Sequence, residues 1–144
     1  MTKKDIARRF FEEVFNQGKL EVVDQIFAPE YVGHSSASLT GPIRGPEGIK
    51  QFVNTYRRAF PDIHFKFEDV VTAGDKVIVR WTTTGTHTGA LQHIDPTGKP
   101  ITVVGIGIAQ IVENRIRVSH SQVDMLGIVE QLGVVPRIRE QAPP

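Results

Sequence analysis

Within RIRVSHSQVDMLGIVEQLG (Arg115 to Gly133), His120, Gln122 and Asp124 carry side chains able to bind ligands or move protons. They fall at every second position, where an alternating strand-like pattern gives way to a short helical one. In a strand this spacing sends all three to one face and Ser119, Ser121 and Val123 to the other. Asp124 has two compatible readings. It stands immediately before MLGIVEQLG, where an aspartate caps a helix. A carboxylate walled by apolar groups also has a raised pKa, which suits it to proton transfer near neutrality. His120 and Asp124 do not form a dyad, because four residues at ~3.3 Å each set their backbones about 13 Å apart. A metal site on this strand fails for the same reason, and the remaining histidines lack ligand spacing.

The other candidates are more scattered. His34, in EYVGHSSA, follows a short strand and belongs to a surface loop or a pocket wall. His87, in GTHTG, leaves a strand before a long loop and either reaches a pocket mouth or bonds to backbone. His64 lies on the polar side of its strand, and His93 sits in the loop. Histidine titrates near neutral pH, so residue type alone selects none of them. In VVGIGIAQ, Gly105, Gly107 and Ala109 share one face of a strand. Glycine there marks a bend or a close approach, and both readings stand. No phosphate-loop, dinucleotide or GxSxG pattern occurs.

Such residues need elements to position them. Ile6, Phe10, Phe11, Val14 and Phe15 form one helical stripe after a capping-box start at Thr2 and Asp5, and Gly18 suits the stop. LEVVDQIF reads as a short second helix before Pro29, and RGPEGIKQFVNTYRRAFP as a third with Pro46 near its start. From Ile63 the period becomes two, through KVIVRWTTTGTH, ITVVGIGIAQIV and the Arg115 segment, with turns at AGD, DPTGK and ENR. Helices first and an antiparallel sheet after them define an α+β chain without βαβ alternation. The expected layout is a strongly curved sheet wrapped over N-terminal helices around one cavity, with Ile6, Phe10, Phe52, Val53, Phe65, Val79 and Ile106 in the packed interior.

The chain of 144 residues has room for one domain, set here at 1–135 with a loose tail at 136–144. A net charge of +1 with dispersed Lys and Arg gives no sign of nucleic-acid binding. No apolar run has membrane-spanning length, and the first residues lack a signal-peptide core. There is no cysteine, hence no disulfide or thiolate. A cytoplasmic protein is the expectation.

FFEEVFNQGKLEVVDQIFAPEYVGH, GPEGIKQFVNTYRRAFPDIHF, VIVRWTTTGTHTG, DPTGK and VDMLGIVEQLG together resemble the SnoaL-like polyketide cyclases, the ester cyclase group of the nuclear transport factor 2-like superfamily. The resemblance runs in family order over residues 5 to 133. It implies a cone-like α+β barrel around a deep cavity, a homodimer paired through the outer face of the sheet, and no metal or cofactor. It also implies that one aspartate, matching Asp124, removes a proton between carbonyls so that the enolate closes a ring in an aldol-type step. His120, Gln122, His34, His87, Gly107 and Trp81 would then touch a small carbonyl or apolar ligand. The chain departs from the family pattern at His120, where Trp is usual, at Gly107, where Asp or His is common, and at Ala109, where a bulky aromatic is common. These departures imply a roomier cavity with an added imidazole. Two alternatives remain. One is a limonene-epoxide-hydrolase-like enzyme, although RWT at Arg80 to Thr82 lacks the acid two positions after the arginine. The other is a binding domain that holds a small apolar ligand without turnover.

Overall fold

The computed structural model describes residues 1–134, so the tail expected at 136–144 lies outside the described residues. Helix α1 (Lys3–Arg9) opens with the reciprocal cap legible in the sequence: Thr2 Oγ1 accepts the Asp5 N–H, and the Asp5 carboxylate accepts the Thr2 N–H, each at 3.0 Å. The chain then continues as a π-helical stretch, Phe10–Asn16, where a regular helix was expected. The wider winding turns successive residues through a smaller angle, so Phe10 and Phe11 both reach the interior and pack edge to face at 5.1 Å. Gly18, at φ +72°, ends the stretch.

The second helix is shorter than its sequence suggested. A 3-10 turn (Leu20–Val22) leads into α2 (Val23–Ile26), and Phe27 already belongs to strand β1 (Phe27–Ser35). After β2 (Ile43–Arg44), helix α3 (Gly45–Ala59) has Pro46 in its first turn and buries Ile49, Val53 and Tyr56.

Strands β3 (His64–Ala73), β4 (Lys76–Thr86), β5 (Pro100–Val112) and β6 (Arg115–Val123) form an antiparallel meander, and helix α4 (Met125–Leu132) closes the described chain. Glu113 and Asn114, both at positive φ, make the tight β5–β6 hairpin. The strand order is β2-β1-β6-β5-β4-β3, an open curved sheet with the helices against its concave face. One pairing departs from the antiparallel expectation: β1 runs parallel to β6, placing His34 opposite His120. Local pattern carries no information about a partner so distant in the chain.

Ile6, Val53 and Val79 are buried and Phe10, Phe52 and Phe65 pack against them, as expected. Ile106 does not. It is 48% exposed, because β5 turns Ile101, Val103 and Gly105 inward and Val104, Ile106 and Ile108 outward.

A single irregularity in β6 decides which residues reach the interior. Ile111 pairs with Ile116 and Gln110 with Val118, so Arg117 is an extra residue without a partner on β5. Because side chains alternate with period two, one inserted residue exchanges the faces of everything beyond it. Before the bulge the even-numbered Ile116 points inward. After it the odd-numbered Ser119, Ser121 and Val123 do so.

Candidate functional site

The helices and the concave sheet face enclose a chamber of about 140 Å³. Phe10, Phe11 and Phe15 form its helical wall, and α3 adds Phe52 and Tyr56. Phe65, Val79, Trp81 and Val103 line the sheet side. On the sheet side the polar side chains are Tyr31 and Ser35 of β1, Ser119 and Ser121 of β6, and Thr83 of β4. Among the described residues, none that lines the chamber carries a carboxylate, amine or guanidinium.

Tyr31 and Ser119 are joined by a hydrogen bond of 2.6 Å between their hydroxyls. The Tyr31 ring folds over Gly33, two residues on along the same face, where any side chain would collide with the phenol. Burial pushes the Tyr31 hydroxyl up to about 12, with the Ser119 hydrogen bond opposing the shift. It therefore stays protonated at neutral pH and acts as a donor rather than a base. The Tyr56 hydroxyl, also pushed up to about 12 by burial, is committed to the Ala37 carbonyl at 2.5 Å.

Trp81 explains Gly105 of β5. It lies opposite Gly105 in the register, and its indole rests against that strand. A Cβ on Gly105 would fall 2.5 Å from Cε2 and Cζ2, and one on Gly107 would fall 3.4 Å from Cη2. The close approach at Gly105 is thus made by the protein's own indole, and at Gly107 by the His120 carbonyl oxygen and Ser121 Cβ of β6, each 3.2 Å from the built Cβ. Trp81 and Gly107 both line the chamber.

The side chains of the remaining expected residues lie elsewhere. Beyond the Arg117 bulge, the His120 ring projects from the outer face and stacks on the exposed His34 ring, with centroids 4.9 Å apart and planes 19° from parallel. His120 meets the chamber wall through its backbone, the carbonyl oxygen lying 3.2 Å from a Cβ built on Gly107. Gln122 is exposed and pairs with Ile106 on the same outer face. The imidazole expected inside the cavity is therefore outside it. His87 is fully buried but does not line the chamber. Its Nδ1 accepts the Thr97 N–H at 3.1 Å, its backbone bonds Lys99 and Gly98, and its ring lies against Phe60. It holds the loop that follows β4. Burial lowers its pKa.

Asp124 is exposed and caps α4, its Oδ1 accepting the Gly127 N–H at 2.9 Å. Gly127 permits this geometry, since a side chain there would strike the Asp124 carboxylate. The aspartate stands in the chain between two lining residues, Val123 and Ile128, without lining the chamber itself. Arg80, the arginine of the hydrolase alternative, is half-exposed and bonded to Asp69 at 2.7 Å.

Tyr31, Ser35, Thr83, Ser119 and Ser121 were missed as site residues. The available signal was weak: an aromatic two positions before a glycine in a strand (Tyr31, Gly33), and serines at the odd positions of β6.

A curved, largely antiparallel sheet covered by helices around an apolar chamber defines an α+β cone. The sequence pattern of the SnoaL-like polyketide cyclases matches residues 5–132, and the chain belongs to that family. Aklanonic acid methyl ester cyclase DnrD of Streptomyces peucetius is 29% identical over 133 residues, spanning 92% of this chain and 91% of that protein. The crystal structure of IdmH from Streptomyces antibioticus is 28% identical with a TM-score of 0.80, covering 93% of this chain and all of that one. A SnoaL-like protein of Jannaschia sp. CCS1, at 19% identity and a TM-score of 0.82 over 92% of both chains, shares the fold.

Proposed function

We propose that the protein is a cyclase-type enzyme that performs cofactor-free proton transfer and ring closure on a small carbonyl compound. The observation carrying this reading is an apolar chamber with hydroxyls on one wall, bordered by the chain segment that bears Asp124. The curated relatives are ester cyclases matched over most of their length. In this reading the ligand lies in the chamber with its reacting carbon at the edge between Val123 and Ile128. Asp124 takes a proton from a carbon flanked by carbonyls, and wall hydroxyls donate to the enolate oxygen. The enolate carbon attacks a second carbonyl of the same molecule, and the resulting alkoxide recovers the proton from Asp124. Substrate and product are then isomers, and no other reactant is consumed.

Asparagine caps a helix as well as aspartate, so Asp124→Asn preserves the cap and removes the base. It is expected to fold normally and to lose ring closure on a panel of diketones and keto-esters by more than about 10²-fold. Asp124→Ala loses the cap as well, with an expected cost of about 1 kcal/mol. Undiminished turnover in Asp124→Asn defeats the assignment. A second reading, binding without turnover, is favoured by the lack of an acidic group among the lining residues, and it requires that no panel compound be converted.

The reading includes a homodimer. Val104, Ile106 and Ile108, between 44% and 53% exposed, line up on the outer face of β5 and supply an apolar surface for a second copy.

A further inference from the structure

We infer that the chamber takes an uncharged compound the size of a single ring, with one oxygen bound by the Tyr31–Ser119 hydroxyl pair. This rests on the small-carbonyl reading above and names the ligand class and its anchor.

The size follows from the volume. The chamber measures about 140 Å³, and an apolar cavity of about 150 Å³ accommodates benzene. The absence of charge follows from the walls. With no lining carboxylate, amine or guanidinium among the described residues, an ionised ligand would lose its hydration without a counter-charge.

Of the chamber's donors, which include the Ser35, Thr83 and Ser121 hydroxyls and the buried, unpaired Trp81 Nε1–H, Tyr31 and Ser119 are the two that a hydrogen bond holds side by side. Tyr31 and Ser119 each carry one O–H, and the bond between them uses one of the two. Whichever way that bond points, the pair keeps one spare donor. Both residues line the chamber. A ligand carbonyl or enolate oxygen can accept that proton, while a hydrocarbon of the same shape cannot. Each single variant, Tyr31→Phe or Ser119→Ala, still leaves one O–H. Only the double variant leaves none.

Trp81, the only tryptophan of the chain, lines the same space and reports binding through its emission. The experiment titrates cyclohexanone, methylenecyclohexane and cyclohexanecarboxylate into wild type, both single variants and the double variant. In wild type the carboxylate is expected to bind at least about ten-fold more weakly than the ketone. The ratio of hydrocarbon to ketone dissociation constants is expected to hold within about two-fold in each single variant. It should fall about five-fold or more in Tyr31→Phe/Ser119→Ala, the worth of one hydrogen bond. An unchanged ratio in a folded double variant overturns the anchor. Carboxylate binding as tight as ketone binding in wild type overturns the ligand class, even if the double variant does not fold. If the expected pattern appears while no diketone or keto-ester turns over, the reaction proposed above fails and this site stands. Turnover with an unchanged ratio in the double variant defeats this site alone.

Discussion

Gly105→Ala places a methyl group where the Trp81 indole now lies. Its Cβ would stand 2.5 Å from two indole carbons and 2.8 Å from Nε1, about 1 Å short of a relaxed carbon contact. Trp81 is 5% exposed and packs on Phe11 at 5.1 Å and Phe65 at 6.3 Å, so retreat is open only into the chamber. Overpacking of this kind costs about 1–3 kcal/mol. Against it stands the smaller unfolded-state entropy of alanine, a gain of about 0.4–1 kcal/mol. The net expectation is a loss of about 1–2 kcal/mol, or roughly 0.5–1 M in the urea midpoint. Gly107→Ala is the internal control. It lies two residues along the same face, and its nearest neighbours stand at 3.2 Å, so strain and entropy gain nearly cancel. Equilibrium urea unfolding followed by circular dichroism measures both, and Trp81 emission reports the displaced indole. In a Trp81→Phe background the excess cost of Gly105→Ala should shrink by at least about 0.5 kcal/mol. Equal midpoints for the two alanine variants, or an unchanged cost without the indole, would refute the argument.

Two further outcomes are expected. The pKa of His87 is lowered by burial, so below its unfolded value of about 6.5 the unfolded chain binds the proton that the folded chain refuses. Stability should therefore decline as pH falls from 7.5 to 5.5, and the melting temperature of His87→Gln should decline less over that range; parallel curves would discount the buried imidazole. Ile106→Lys changes a half-exposed side chain on the outer sheet face and should leave the fold within about 0.5 kcal/mol while converting a homodimer to monomer. Sedimentation equilibrium at micromolar concentration checks this, and a monomeric wild type would contradict the dimer.

Much of the scaffold follows from local signals in the sequence. The capping box at Thr2 and Asp5, the stripe from Ile6 to Phe15, Pro46 at the head of α3 and the alternation from Ile63 onward are local signals, and each has a structural counterpart, the stripe partly as a π-helix. The N-cap role of Asp124 was equally legible, because capping depends on the next three residues alone. Tertiary structure decided the contents of the chamber. The Arg117 bulge moves His120 and Gln122 to the outer face and Ser119 and Ser121 to the inner one, and nothing in the alternation of Ile116, Val118 and His120 announces it. The parallel pairing of β1 with β6 brings Tyr31 to Ser119 and His34 onto His120 across most of the chain length. Gly105 is explained only by an indole from the neighbouring strand. Periodicity records which residues share a face along one strand. Which face turns inward depends on register between strands, and a single extra residue reverses it.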